Sequence, residues 1–340
     1  MKREGWLFDR VADFDALRRA AHQAMRGKKK SPRAARFWFD LEYELIDLVR
    51  ELGNRTYSPR PYRTFVVTDP KQRRICAADF RDRVVHHAVC AVLEPLFERS
   101  FISDSYACRK GKGSHLALDR ARLFSRQYRY FLKLDIRHFF DTIDHEVLKA
   151  FLRRKLKDPS LLWLLDLFID HPVPWTEQGK GLPIGNLTSQ LFANFYLDPL
   201  DHYLKEDLGL HAYVRYMDDL LLFGEDKNEL WEVYSAIAYF LSTRLHLCLK
   251  PQATRMAPVD EGISFLGFTV YPGLLRLQRK GWNRCVRKLH SKEGQHAAGL
   301  ITEEALVRSA VSLVGHLRQA ASRNVRSKHS CLAVYDPACC

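Results

Sequence analysis

The chain has 340 residues, 46% hydrophobic and 28% charged, with a formal net charge of +14; this is the composition of a folded protein and excludes a disordered one. Such a length supports about two or three structural units around a sizeable core. The surplus of Lys and Arg suits a polyanionic partner as well as a merely basic solvated surface, and no stretch approaches the roughly 18 apolar residues that span a bilayer, so no membrane partner is expected.

From the N-terminus, residues 12 to 25 carry Phe14, Leu17 and Ala21 at helical spacing. A basic run from Arg26 to Lys30 follows, and residues 37 to 52 are again helical in pattern. Residues 60 to 76 are β-rich and basic, with Phe65, Val66 and Val67 before Lys71, Arg73 and Arg74; from Arg81 to Phe97 the apolar spacing turns helical. The run Tyr130–Ile136 suits a buried strand, and Asp144 suits an N-cap for a helix over 145 to 156. A helix is predicted over 188 to 206, then strand, tight turn and strand over 212 to 223. Leu230, Tyr234, Ile237 and Leu241 mark the next helix, and short strands are expected near 245 to 250 and 263 to 277. Beyond Lys280 the chain is basic and helical, and residues 329–340 are expected to be disordered. The eight cysteines include no CxxC pair, which argues against structural zinc and for reduced thiols; with no apolar signal core at the N-terminus, a cytoplasmic location is expected.

Two short stretches carry chemistry when taken together. Tyr216-Met217-Asp218-Asp219 alone reads as an acidic hairpin turn, since Asp tolerates turn geometry. Leu134-Asp135-Ile136, followed by Phe139-Phe140-Asp141, alone reads as a strand end or a helix cap. Together, Asp135, Asp218 and Asp219 on adjoining strand ends would make a hard oxygen site suited to Mg²⁺. Two such ions about 3.5–4 Å apart can clamp the attacking and leaving oxygens of an in-line phosphoryl displacement. Gly111-Lys112-Gly113-Ser114 fails as a P-loop and reads as a basic glycine-rich loop near phosphates, with Lys110 and Lys112 as backbone contacts. Arg284, Arg287 and Lys288 form a comparable basic surface, which a solvated helix face would also show.

The order Leu-Asp-Ile-x-x-Phe-Phe-Asp, a Gly-x-x-x-Ser turn, Tyr-Met-Asp-Asp and Phe-Leu-Gly-Phe, from about Tyr57 to Phe268, resembles reverse transcriptases. That resemblance implies an α+β right-hand polymerase. Residues 1–125 would be fingers and 126–270 a palm with an antiparallel sheet flanked by helices, part of 145–185 packing with the fingers. Residues 271–328 would be a short helical thumb. It implies that Asp135 and Asp218 bridge two Mg²⁺ ions (Mn²⁺ substituting), that Asp219 supports them, and that the Ile136 carbonyl is a further ligand. Phe140 falls at the steric gate against the ribose 2′-hydroxyl, with Phe139 the core neighbour. Lys71, Arg73 and Arg74, with Ile184 and Gly185, fall where the dNTP is held; Phe265, Leu266 and Gly267 fall at the primer grip. The family's Lys-Thr pair is absent, Gln252-Ala253-Thr254 standing in its place, so Lys250 is the substitute candidate for the general acid.

The turn Leu182-Pro183-Ile184-Gly185-Asn186-Leu187-Thr188-Ser189-Gln190 has Ile184 and Gln190 where most reverse transcriptases have Gln and Pro. This variant looks like the enzymes of diversity-generating retroelements, relatives of group II intron reverse transcriptases. So do Asp79–His87 and Asp104–Gly113. The resemblance implies error-prone copying of a template RNA at adenines for mutagenic retrohoming, with Ile184 and Gln190 bearing on fidelity. It also implies dNTPs and an RNA/DNA heteroduplex as ligands, and a small basic accessory protein as partner. The alternatives are a group II intron-type enzyme, whose maturase role is expected to need more chain after Gly267, a retron-type enzyme, and a non-catalytic RNA-binding module.

Overall fold

A computed structural model describes residues 5–28, 31–69 and 71–318. Lys29 and Lys30 of the basic run, the last residues of the expected thumb and the tail 329–340 lie outside the described residues. In chain order the elements are α1 (Phe8–Ala12), α2 (Phe14–Met25), α3 (Pro32–Phe39), α4 (Leu41–Gly53), β1 (Arg63–Val67), β2 (Arg73–Ala77), α5 (Phe80–Glu98), α6 (Ser114–Gln127), β3 (Tyr130–Asp135), α7 (Phe139–Thr142), α8 (His145–Lys155), α9 (Pro159–Asp170), α10 (Leu187–His202), β4 (Tyr213–Tyr216), β5 (Asp219–Gly224), α11 (Lys227–Arg244), β6 (Arg255–Pro258), β7 (Ile263–Phe265), β8 (Phe268–Tyr271), β9 (Leu274–Leu277), α12 (Arg279–Ala297) and α13 (Glu303–Arg318).

Most elements fall where the pattern puts them, and the departures have local causes. The helix expected over 37 to 52 is two helices, broken at Asp40, whose φ of −102° and ψ of 28° leave the helical region. The helix expected to reach 206 ends at His202 and closes in one π turn over Tyr203–Asp207, after Pro199 has removed a ladder N–H. No strand forms over 245 to 250; a single bridge joins Leu249 to Ile136, and β6 pairs with β3 instead. Helix α9 was not anticipated because its run is apolar almost throughout and shows little period. Its start is nonetheless written locally: Pro159 occupies the first turn, and the Asp158 carboxylate accepts from the Ser160 and Leu161 N–H groups.

The chain divides into two compact units. The first comprises Met1–Cys108, Asp135–Leu210 and Ser235–Lys250. Its centre is α5, which buries Val84, Val85, Ala88, Val89, Leu93 and Phe97 around its circumference and packs on α2 and α10. Phe97 stacks on Phe195 of α10 at 4.1 Å. His86 holds the start of α10, its Nδ1 lying 2.8 Å from the Thr188 hydroxyl. Burial pushes the His86 pKa down to about 3, so this imidazole is neutral and structural. The strands β1 and β2 form an antiparallel pair whose β1 residues are all exposed.

The second unit comprises Arg109–Leu134, His211–Tyr234 and Pro251–Cys340. It holds the four-stranded sheet, in the order β4-β5-β3-β6, and the antiparallel meander β7-β8-β9. Helix α6 lies against β4, β5 and β8, with Phe124 packed 5.6 Å from Phe223. Helices α12 and α13 share the small core of Cys285, Leu289 and Ala310. The described cysteines, Cys76, Cys90, Cys108, Cys248 and Cys285, are free thiols. No helix among the described residues is long and apolar enough to cross a membrane.

Candidate active site

The aspartate pair is presented by a rigid hairpin. Strands β4 and β5 pair from Tyr213↔Leu222 to Tyr216↔Asp219, leaving Met217 and Asp218 as a two-residue loop. Such loops need a positive φ to match strand twist, and Met217 supplies it at 58°. A non-glycine residue there is strained and must be held by its surroundings. Arg215 is fully buried, and its Nη1 donates to the Met217 carbonyl at 3.2 Å, across the turn itself. Val214, Leu220, Leu221 and Leu222 are equally buried and anchor both strands. Asp218 and Asp219 therefore stand half-buried on a fixed frame. Lys133, two residues before Asp135, brings its Nζ to 3.6 Å from Asp219 Oδ1.

Asp135 is the half-buried last residue of β3. Its carbonyl accepts from the Lys250 N–H at 2.8 Å, and the Arg137 N–H donates to Cys248 at 2.8 Å. These two bonds flank the Ile136–Leu249 bridge, so the Ile136 carbonyl points away from residues 248–250. The candidate acid Lys250, exposed, is thus adjacent to Asp135 through the backbone.

The candidate dNTP-binding residues of the first unit are tied into one assembly. Phe140 is half-buried on α7, edge-on to the buried Phe139 at 5.5 Å. Its carbonyl accepts from the Leu182 N–H at 2.7 Å, and two residues on the Ile184 carbonyl accepts from the Cys76 N–H of β2 at 2.9 Å. Asn186 extends the seam, its Oδ1 accepting from the Ala78 N–H at 3.1 Å. Gly185 has a φ of +123°, and a Cβ there would lie 2.8 Å from Ile75 Cγ2 and 3.1 Å from the Cys76 carbonyl oxygen; glycine is required by both backbone and space. Arg74 projects over the Trp175 ring at 5.6 Å, and the Trp175 Nε1 donates to Asp141 at 3.3 Å. Arg73 is exposed beside it, Lys71 is exposed before β2, and Gln190 is half-buried in the first turn of α10.

In the second unit, Phe265 and Phe268 pair across the β7–β8 hairpin and are each 1% exposed. The hairpin therefore presents its Leu266-Gly267 turn, both residues at positive φ, rather than the Phe265 ring. Lys110 and Lys112 flank Gly111 just before α6. Arg284, Arg287 and Lys288 are exposed on α12, whose opposite face buries Cys285 and Leu289.

Sequence reasoning missed Lys133, Arg215 and Trp175. Strand alternation puts Lys133 on the face of Asp135, and Arg215 stands out as a charge inside an apolar strand; Trp175 has no such signal. Among the described residues no three His, Cys, Asp or Glu side chains form a metal cage. Mg²⁺ does not need one, since it keeps waters and takes one or two carboxylates together with substrate phosphates. The donors at the hairpin, the carboxylate oxygens of Asp218 and Asp219, are of the hard kind that suits such a cation.

Comparison with known proteins gives these features a common setting. The profile of the family described as reverse transcriptase (RNA-dependent DNA polymerase) matches residues 68–270. The protein YkfC of Escherichia coli (strain K12) is 25% identical over 306 residues, covering 77% of this chain and 79% of that protein. The group II intron-encoded protein LtrA of Lactococcus lactis subsp. cremoris is 29% identical over 170 residues, covering 48% of this chain and 28% of LtrA. Among solved structures, telomerase from Candida albicans, in complex with a fragment of telomeric RNA, aligns with a TM-score of 0.51 at 13% identity. That alignment covers 82% of this chain and 56% of the telomerase chain. Apo telomerase from Candida tropicalis aligns with a TM-score of 0.52 at 12% identity, covering 81% of this chain and 59% of its own. The chain thus spans under a third of the intron protein and under two thirds of the telomerase chains. Their likeness is one of fold, mixed helix with antiparallel sheets as in a right-hand polymerase.

Proposed function

The chain belongs to the reverse transcriptase (RNA-dependent DNA polymerase) family, and we propose that it copies a template RNA into cDNA from dNTPs in the manner of a diversity-generating retroelement enzyme. The observation that carries polymerase activity is the intact aspartate hairpin, braced by a buried arginine, inside the matched segment. On this reading residues 1–125 serve as fingers, 126–270 as palm and 271–328 as thumb. Asp135, Asp218 and Asp219, with the Ile136 carbonyl, would hold two Mg²⁺ ions, which supply charge neutralisation at the attacking and leaving oxygens. Arg73 and Arg74 bind the triphosphate, the aromatic edge of Phe140 excludes a ribose 2′-hydroxyl, and Lys250 offers a proton to the leaving pyrophosphate. Lys110, Lys112, Arg284, Arg287 and Lys288 contact backbone phosphates of the heteroduplex without reading sequence. Template choice then falls to a structured RNA and a small basic accessory protein.

The subclass rests on Ile184. A glutamine there could hydrogen-bond near the nascent base pair, and an isoleucine cannot. Discrimination is strongest where a mismatch would leave polar groups of the site unpaired, so its loss favours errors. A group II intron-type enzyme is the second reading, favoured by the similarity to LtrA. Primer extension on an RNA template with dNTPs and Mg²⁺, with the products sequenced, separates the two. Errors concentrated at template adenines, reduced in Ile184→Gln and absent with all synthesis in Asp218→Asn, support the first reading. Accurate cDNA supports the second, and no synthesis by the wild type with candidate partner proteins present favours a binding module.

A further inference from the structure

Lys133 touches two elements of the second unit at once. Its Nζ lies 3.6 Å from Asp219 Oδ1 and donates to the Ser264 carbonyl at 2.9 Å. Ser264 immediately precedes the Phe265–Phe268 hairpin turn, and Gln278 grips the same hairpin from the other side. The Gln278 Nε2 donates to Ser264 Oγ at 2.6 Å and to the Phe268 carbonyl at 3.0 Å, while its backbone N–H donates to the Gly267 carbonyl at 3.1 Å. Gln278 is also the N-cap residue of α12. A continuous series of polar contacts therefore runs from the aspartate turn, through Lys133, to the hairpin and the first turn of the basic helix.

The fold does not require this arrangement. The flanking Leu132 and Leu134 are fully buried and secure β3, whereas the Lys133 side chain is 22% exposed and its ionic partner 29%. Ion pairs with that access to water add little stability. An ammonium with three donors on a flexible stem can hold a carboxylate and a carbonyl from separate elements at one spacing.

We propose that Lys133 is a positioning residue that sets the spacing between Asp219 and the 264–268 hairpin, so that a primer terminus resting on the hairpin meets the carboxylates in register. This rests on the polymerase reading above. Misplacement of a reacting group by about 1 Å can cost on the order of 100-fold in rate, which makes a spacer of this kind consequential without its touching substrate.

The test uses the full chain, wild type beside Lys133→Met, Lys133→Arg and Gln278→Ala, on an RNA/DNA heteroduplex carrying 2-aminopurine at the primer terminus. Terminal fluorescence is read without metal, and single-nucleotide incorporation is then measured under single-turnover conditions. For Lys133→Met the thermal midpoint, heteroduplex affinity and dNTP half-saturation stay at wild-type values. Terminal fluorescence shifts and the maximal rate falls, by up to about 100-fold. Lys133→Arg recovers most of both readouts, and Gln278→Ala reproduces the defect more weakly. Wild-type fluorescence and rate in Lys133→Met overturn the proposal, as does a loss of rate that only follows lost thermal stability in both Lys133 variants. A wild type that binds the heteroduplex but extends nothing even with candidate partner proteins present sinks the polymerase reading instead, while the fluorescence comparison, which needs no turnover, still decides the part of Lys133.

Discussion

The Ile184 carbonyl accepts a hydrogen bond from the Cys76 N–H at 2.9 Å, which lays the Pro183–Asn186 turn directly on β2, two residues beyond Arg74. Gly185 lies in this seam with a φ of +123° and no room for a Cβ against Ile75 and Cys76. Gly185→Ala is expected to strain the backbone by about 1–3 kcal/mol and to push the turn off the strand. Single-turnover kinetics should show a weakened dNTP half-saturation, with heteroduplex affinity, measured separately, retained.

Phe140 is half-buried, while its neighbour Phe139 is 2% exposed and belongs to the core. Phe140→Ala should therefore fold and should admit ribonucleotides, raising the incorporation of a ribonucleotide relative to its deoxy counterpart by at least about tenfold, the scale on which a lost steric contact changes selection. Phe139→Ala should instead destabilise the chain by about 3–5 kcal/mol. Competition assays and denaturant midpoints distinguish the two.

Arg215 holds the strained Met217 turn through a buried hydrogen bond. Replacing it with Met keeps volume but leaves the Met217 carbonyl without that donor, a loss of about 1–3 kcal/mol. Denaturant unfolding should show the lower stability. Incorporation should fall even where the protein remains folded, because the turn carrying Asp218 and Asp219 loses its brace.

Asp82 is buried in the first unit, where Oδ1 accepts from the Tyr57 hydroxyl at 2.7 Å and Oδ2 from the Arg60 N–H at 2.9 Å. Burial outweighs these bonds and pushes its pKa up to about 6, from an ordinary 3.8. Below about pH 4 the carboxyl is protonated in folded and unfolded chains alike, and Asp82 adds no pH dependence. Between about pH 4 and pH 6 the unfolded chain ionises first, so stability falls as pH rises. Above about pH 6 the full cost, about 3 kcal/mol, is present. Asp82→Asn should flatten this slope in denaturation measured at both ends of the window. An unchanged slope would assign it to other groups.

The candidate catalytic residues were legible in the sequence because their order and spacing are local properties. A hairpin over 212 to 223 with two carboxylates at its tip, an acid at the end of an apolar strand and a capped helix after Asp144 all follow from period and turn preference, and each is found. Two kinds of information were not local. The burial of Phe265 and of Arg215 depends on which face of a strand other elements cover, and alternation cannot say which face that is. The contacts of Lys133 with Asp219 and Ser264, of Arg74 with Trp175, and of Ile184 with Cys76 join segments far apart along the chain. Only the tertiary packing brings those atoms within hydrogen-bond, ion-pair or ring-contact range, so sequence alone identified the candidate catalytic residues, while the fold determined which side chains hold them in place.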